Sequence, residues 1–215
     1  MTSRLNVGVC LLAFAMLHAN TGNAQLLNSV GAKGAFSWTK QDFNFTTFDP
    51  HFESITAFGA ALFAEWLEGM FSLVTQCEYA QRGMRVRYVK TGPTGPEPLG
   101  YFFRYNRVNY ISIPVLAKVR ILDHAICPFV LAGPRIDFML QYRSDNSEFN
   151  VIYDKFEKVT YGVTAGAGVE LTVFQNLPIL LEGRYNLDLK DSFAVQNLRV
   201  RNRSIDIWLG IAFRI

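Results

Sequence analysis

The sequence predicts an all-β fold, an eight-stranded antiparallel up-and-down barrel. Three observations lead to this prediction: segments in which apolar and polar residues alternate, connections that alternate between short and long, and charged residues that interrupt the apolar runs. A membrane-spanning helix needs about 20 consecutive apolar residues, and no stretch after the first 24 residues approaches that length. A hydrophobic, exported chain without such a helix is either a soluble domain or a closed sheet, and the periodicity decides between them.

The composition indicates a folded, strand-rich protein. Half of the 215 residues are hydrophobic and only 18% are charged, with 18 Phe and 9 Tyr. Aromatic residues favour strands. A formal net charge of +3 gives no polybasic surface of the kind that nucleic-acid binding needs, so we exclude nucleic acid as a partner.

The first 24 residues have the pattern of a secretory signal peptide. Arg4 supplies the positive charge, VGVCLLAFAML supplies the apolar core, and Gly22, Asn23 and Ala24 stand where signal peptidase requires small residues. We expect cleavage after Ala24. The remaining residues, 25–215, then form one barrel domain.

Six segments alternate with the period of two that is typical of half-buried strands. Residues 69–81 show it clearly, with one face of Phe71, Leu73, Thr75, Cys77 and Tyr79 and another of Ser72, Val74, Gln76 and Glu78. The pattern recurs in residues 108–122, 127–142, 160–171, 179–188 and 204–215. The apolar face of these six segments has no charged residue, as expected of strands that contact lipid on that face.

Two N-terminal segments, 29–38 and 53–66, complete the count of strands. The second segment is rich in alanine and is compatible with an amphipathic helix. We favour a strand, because it brings the total to eight and bacterial barrels have an even number of strands.

The connections alternate in length along the chain. Short turns are predicted at 67–69, 122–126 and 174–178, and long polar loops at 39–52, 82–107, 143–158 and 189–203. Bacterial barrels have short periplasmic turns and long exterior loops. The pattern therefore predicts an outer-membrane barrel with both chain ends on the periplasmic side.

If the apolar face contacts lipid, the polar face fills the interior. The predicted interior charges are Glu78, Lys118, Arg120, Arg135, Asp137, Glu170, Glu182, Arg184, Asp188, Asp206 and Arg214, together with Lys33 and Glu65 from the earlier strands. Unpaired charges are costly in a narrow space of low dielectric, so we predict a network of ion pairs. Eight strands enclose a space that side chains can fill, and packing is favoured over a narrow path for ions.

Other chemistry has little support in the sequence. We predict no catalytic residues, no cofactor and no metal site, because His51 and His124 lie at opposite rims without a nucleophile motif and no metal ligands cluster. Cys77 and Cys127 fall on opposite faces, which argues against a disulfide. The run from Arg199 to Arg203 is either a solvated loop or strand extension, the favoured interpretation, or a contact for lipopolysaccharide phosphates. We expect a monomer whose loop partners are unknown.

Several segments together resemble a known family. They are VGAKGAFSW, NYISIPVLAK, the AGP strand opening, GAGVEL, GRYN and the final WLGIAFRI. They are similar to the outer-membrane β-barrel family that includes the PorT-like proteins of Bacteroidetes. The resemblance implies an eight-stranded barrel, often labelled porin-like, and brings no catalytic residues. Such barrels usually end in an aromatic residue, whereas this sequence ends in Ile215 with Phe213 two positions earlier.

Two alternatives remain open at this point. A soluble, exported lipocalin-like barrel that binds an apolar ligand also alternates apolar and polar residues, but it places the charges outside and needs no uniformly uncharged face. An outer-membrane enzyme needs a catalytic cluster of polar residues at the loop rim.

Overall fold

The computed structural model describes residues 26–45, 52–92, 95–122, 124–145, 153, 155–174, 177–195 and 198–215. The strands are β1 Leu27–Phe45, β2 Phe52–Glu53, β3 Ile55–Trp66, β4 Phe71–Gly92, β5 Gly95–Arg120, β6 Ile126–Ser144, β7 Val159–Phe174, β8 Leu177–Asp188, β9 Phe193–Val195 and β10 Leu198–Arg214. No helix within these ranges is long and apolar enough to span a membrane. The expected signal peptide and His51 lie outside the described residues.

Eight long strands close into a barrel. The strands pair in the order β1, β3, β4, β5, β6, β7, β8 and β10. β10 then pairs back onto β1, from Ser29↔Arg214 to Phe45↔Leu198. All pairs are antiparallel, and the short β2 and β9 attach to β4 and β10. The predicted fold class is confirmed, and the alanine-rich segment 53–66 is a strand over most of its length.

The barrel has an apolar outer face and a mostly polar inner face. β10 shows this alternation most regularly: its even-numbered side chains from 202 to 212 are buried and its odd-numbered ones from 201 to 213 are exposed. Leu209 is 61% exposed, whereas its neighbour Trp208 is only 2% exposed. The large exposed apolar side chains of the other strands form a continuous outer belt.

The short connections, the start of β1 and the end of β10 lie at one end of the barrel, which we call the turn end. The turn between β3 and β4 contains Leu67 and Gly69 at positive φ, 68° and 109°. The Ile215 amide donates to the Asn28 carbonyl at 3.0 Å, so the last residue sits beside the start of β1. The opposite end of the barrel, where the longer connections lie, is the loop end.

The predicted loop at 82–107 is wrong over most of its length. β4 and β5 continue through it as a paired hairpin, with Arg85↔Tyr105 and Val89↔Tyr101 in register. The alternating aromatic and β-branched residues on either side favour strands, and the pairing continues as far as Gly92↔Gly95. The loops at 39–52 and 189–203 are likewise shortened, because β1 reaches Phe45 and β10 begins at Leu198.

The β4–β5 hairpin projects beyond the rest of the barrel. β4 has 22 residues and β5 has 26. A tilted strand needs only about 9–11 residues to cross a bilayer. Each strand is therefore about twice as long as a crossing requires.

A bulge near the loop end of β6 corrects one predicted side-chain direction. The sequence pattern places Gln141 on the inner face, yet it is exposed. The register between β5 and β6 shifts between Asn109 and Tyr110, so that one residue of β6 is unpaired. The extra residue reverses the alternation and turns Tyr142 toward buried side chains.

Leu209→Arg tests whether the outer face contacts hydrocarbon. Leu209 lies in the middle of the apolar outer run of β10, from Ile205 to Phe213, and a guanidinium there should lower the free energy of unfolding by about 2–4 kcal/mol. Ile215→Arg, at the rim, should cost at most about 1 kcal/mol. Urea titration of the protein in phosphatidylcholine vesicles measures both losses, and equal losses would contradict the lipid contact.

Candidate functional site: the barrel interior

Side chains fill the interior in successive layers from the turn end to the loop end. An ionic cluster lies at the turn end, followed by an apolar layer, two further ionic clusters and an aromatic cap. The inner rows of the strands set this order. Along β5, for example, Lys118, Leu116, Ser112 and Tyr110 contribute in turn to successive levels, and all four are buried.

The turn-end cluster consists of Glu65, Lys118, Arg120, Glu170 and Arg214. The Lys118 ammonium lies 3.0 Å from a carboxylate oxygen of each glutamate. Arg120 pairs with Glu65, and Arg214 Nη2 lies 2.6 Å from Glu170. Three cations thus share two buried carboxylates, and each carboxylate contacts at least two of them.

The apolar layer separates this cluster from the rest of the interior. Its members are Phe63, Val74, Leu116, Phe129, Leu131, Leu180 and Ala212, each at most 4% exposed. The Lys118 ammonium lies over the Phe129 ring, 4.5 Å from the centroid. A hydrated ion moving along the barrel axis would have to lose its water at this level, which is unfavourable.

The central cluster consists of Lys33, Glu78, Glu182 and Arg184. Glu182 accepts from Lys33 at 2.7 Å and pairs with Arg184 at 2.5 Å. Arg184 also pairs with Glu78 at 2.8 Å, so two cations alternate with two carboxylates. The indole of Trp208 lies under the Arg184 guanidinium, 5.3 Å away, and fills the space beside it.

The upper cluster is a second balanced quartet, formed by Arg82, Arg135, Asp137 and Asp188. Arg82 lies 2.8 Å from Asp137 and 3.6 Å from Asp188. Arg135 lies 3.2 Å from Asp137 and also pairs with Asp188. Hydroxyl and amide groups satisfy further carboxylate lone pairs: Ser112 donates to Asp137, and Asn202 donates to Asp188 at 2.7 Å.

An aromatic cap closes the interior at the loop end. Tyr153 and Phe156, from the connection between β6 and β7, are 1% and 5% exposed. They pack with Val108, Tyr110 and Val200. The Tyr153 hydroxyl donates to Gln41 Oε1 at 2.6 Å, and the Tyr153 ring stacks on Tyr142. Burial raises the pKa of Tyr153, so the hydroxyl remains a donor at physiological pH.

The structure places the ten candidate residues on inner rows. Nine belong to ion pairs in the three clusters: Glu78, Lys118, Arg120, Arg135, Asp137, Glu170, Glu182, Arg184 and Arg214. Asp206 instead accepts a hydrogen bond from Asn186 at 2.5 Å. Lys33, Glu65 and Asp188 join the same clusters.

Sequence reasoning missed Arg82 and the cap. Arg82 was assigned to a loop, although it continues the even-numbered inner row of Gln76 and Glu78 and is 3% exposed. Extending that alternation past residue 81 would have found it. Tyr153 and Phe156 lie in an irregular segment, where no periodicity shows which side chains turn inward.

The interior glycines make room for large side chains. A Cβ atom on Gly168 would lie 2.7 Å from the Phe129 ring, and one on Gly166 would lie 3.0 Å from Arg184 Cγ. Both glycines therefore allow a large neighbour to extend across the barrel. This arrangement favours a filled interior over an open path.

The remaining candidates lie apart from these clusters. His124 is exposed in a short turn, and the described ranges contain no group of residues able to hold a metal ion. Cys77 and Cys127 are not joined by a disulfide. Arg201 and Arg203 lie on the outer surface, paired with Asp191 at 2.5 Å and with Asp42 at 2.9 Å.

Glu182→Gln tests how strongly the buried pairs hold the barrel. It leaves Lys33 without its carboxylate and should lower the free energy of unfolding by about 3–5 kcal/mol. Lys33→Met should cost less, because Arg184 still pairs with Glu182, and the double variant should recover part of the Glu182→Gln loss. Urea titration in detergent micelles measures all three.

The control for this series is Glu157→Gln. Glu157 forms an exposed pair with Lys190 at 3.3 Å, and its loss should cost at most about 1 kcal/mol. If Glu182→Gln costs no more than this control, the central cluster does not stabilise the barrel.

Comparison with known proteins identifies the family. The outer membrane protein beta-barrel domain matches residues 23–194. The fold is similar to that of OprG from Pseudomonas aeruginosa, with a TM-score of 0.51 and 9% identity over 88% of this chain and 97% of that one. Neisserial surface protein A gives a TM-score of 0.49 and 15% identity over 86% of this chain and 97% of that one. Curated proteins gave no match.

The family match covers most of the chain, and its description agrees with the closed ring and the apolar outer belt. These findings support the membrane barrel over the soluble lipocalin-like alternative. The chain belongs to the outer membrane protein beta-barrel domain family and is a β-barrel protein of the bacterial outer membrane.

Proposed function

We propose that this outer-membrane barrel is a structural and interaction protein, without enzymatic activity and without an open pore. Its interior is a scaffold, and its loop end presents contact surfaces outside the cell. The observation that supports this proposal most directly is the apolar layer, because it interrupts the polar interior between two ionic clusters. The aromatic cap adds a second barrier at the loop end.

The proposed orientation places the turn end in the periplasm and the loop end outside. Bacterial barrels have this arrangement, with short turns inside and longer connections outside. The proposal includes a signal peptide of residues 1–24, cleaved after Ala24, and the family match that begins at residue 23 is consistent with it. A closer relationship to PorT-like proteins of Bacteroidetes remains a prediction from the sequence segments.

Planar-bilayer recording tests the closed interior. The purified protein should give no discrete current steps, because an ion would have to cross both the apolar layer and the cap. An eight-stranded barrel also leaves an interior only wide enough for side chains. Reproducible steps in the wild-type protein that disappear on heat denaturation would reject this part of the proposal and favour a porin-like role.

We further propose that a basic band on the outer surface contacts lipopolysaccharide. The band consists of four outward-facing cations on β1 and β10: Lys40, Arg199, Arg201 and Arg203. Their acidic neighbours are Asp42 and Asp191. Four cations face two carboxylates, so the band has a net positive charge.

The level of this band suits a lipid headgroup. Trp38 and Ile205 pair across the same two strands and are 42% and 55% exposed in the apolar belt. The next outward-facing pair is Lys40 and Arg203. Cations that follow an apolar belt directly meet the phosphates of the outer leaflet, and guanidinium groups bind phosphates bidentately.

A single chain closes the barrel without free edges, so a monomer suffices.

Arg201→Gln with Arg203→Gln tests the basic band. The double variant should bind purified lipopolysaccharide about threefold to tenfold more weakly, since exposed ionic contacts contribute up to about 1 kcal/mol each. Binding is measured on protein in phosphatidylcholine nanodiscs. Lys155→Gln with Lys158→Gln, exposed on the connection between β6 and β7, removes the same charge elsewhere and should leave this affinity unchanged; an equal loss in both variants would reject the band as a site.

A further inference from the structure

We infer that the projecting β4–β5 hairpin binds an acidic polysaccharide at the cell surface. The inference extends the proposed interaction role, and its exterior location rests on the proposed orientation. The binding surface consists of residues 82–90 of β4 and 100–107 of β5, the part of the hairpin toward the loop end. Its charge, its aromatic rows and its open shape together indicate the ligand class.

The charged residues of these two segments are all basic. Besides the buried Arg82, the two segments contain five basic residues: Arg85, Arg87, Lys90, Arg104 and Arg107. They contain no aspartate or glutamate. Within the described part of the chain, their acidic neighbours are Glu53, which lies 2.7 Å from Arg85 and 3.8 Å from Arg87, and Asp145. On the outer face, three cations (Arg85, Arg87 and Arg107) face the single carboxylate of Glu53 and leave a surface that attracts anions.

On the outer face, arginines of β4 lie beside aromatic rings of β5. The Arg85 guanidinium lies 4.5 Å from the centroid of the Phe103 ring, and Arg87 lies 5.1 Å from that of Tyr101. The cation and the ring of each pair come from different strands. Arginine on β4 and aromatic residues on β5 therefore form two parallel rows.

Several aromatic rings of this surface are exposed to solvent. Tyr101 is 61% exposed, and Phe103 and Tyr105 are each 39% exposed. On the opposite face Tyr88 and Phe102 stack at 5.3 Å, with Arg104 within 6 Å of both. Exposed aromatic surface in the midst of charge marks an interaction site.

Sugar chemistry fits these rows. The face of a pyranose ring carries C–H groups that pack on an aromatic ring, and the planar guanidinium group pairs with a carboxylate through two parallel hydrogen bonds. A polysaccharide of uronic acids presents both features repeatedly along an extended chain. A flat, open pair of rows suits such a chain, because no enclosed pocket is needed.

The test measures binding of an oligogalacturonate to the full-length mature protein in phosphatidylcholine nanodiscs. We expect saturable binding that weakens as salt is raised, because exposed charges are screened. A neutral galactan of equal length should bind at least about tenfold more weakly, since each exposed ionic contact contributes up to about 1 kcal/mol. Equal binding of the two would overturn the proposal.

Variants separate the hairpin from general electrostatic attraction. Arg85→Gln with Arg87→Gln should weaken oligogalacturonate binding about tenfold, whereas the matched Arg201→Gln with Arg203→Gln should leave it unchanged. Tyr101→Ala should weaken it about threefold, as expected for loss of an exposed ring contact. Unaltered binding in the Tyr101 variant, or equal losses in both arginine variants, would overturn the proposal. Heat-modifiable migration on gels verifies that each variant is folded.

Two competing ligands complete the design. Polyglutamate with the same number of carboxylates should compete weakly, since it lacks sugar rings, and stronger binding of polyglutamate would indicate an acidic protein partner and overturn the proposal. Lipid A carries phosphates but no uronic acid, so it should not displace the oligogalacturonate; displacement from the hairpin by lipid A would overturn the proposal in favour of a lipid ligand. Fluorescent oligogalacturonate on intact cells tests the orientation separately: binding in nanodiscs with none on cells would refute the exterior placement and leave the site itself supported.

Discussion

The structure depends on one constraint: hydrocarbon offers no hydrogen bonds, so each backbone amide in the membrane must find its partner within the protein. The pairing of β10 with β1 meets this constraint by leaving no free edge in the ring. The same surroundings require apolar side chains on the outside. Polar residues therefore fill the inside. This arrangement of apolar and polar side chains is the reverse of that in a soluble protein.

An ionic interior is stable only when each charge has partners, because the desolvation of an isolated charge exceeds what folding can offset. The clusters meet this requirement by sharing. Asp137 and Asp188 each contact Arg82 and Arg135, and Glu182 lies between Lys33 and Arg184. Because several strands contribute to each cluster, the pairs also link strands that share no backbone hydrogen bonds.

The fold could be predicted because a period of two, together with an uncharged face, has few physical explanations. The inner rows followed from the same alternation, so residues such as Arg135 and Glu182 were identified without coordinates. The partner of each charge could not be predicted, since it depends on strand tilt and register around the barrel. The sequence predicts a loop where the hairpin lies, because glycine and proline in its middle outweigh the strand pattern on either side. Tyr153 and Phe156 belong to an irregular connection. Such a backbone has no periodic side-chain pattern, so the inward direction of these two side chains could not be predicted.

The seam between β1 and β10 joins the first long strand of the chain to the last. No shorter stretch of the chain can therefore complete the ring, and an intermediate that lacks β10 would expose two unpaired edges to its surroundings. Such edges readily pair with other chains. Closure of the ring accordingly requires the last strand, and a chain that ends before Leu198 keeps both edges open to such pairing.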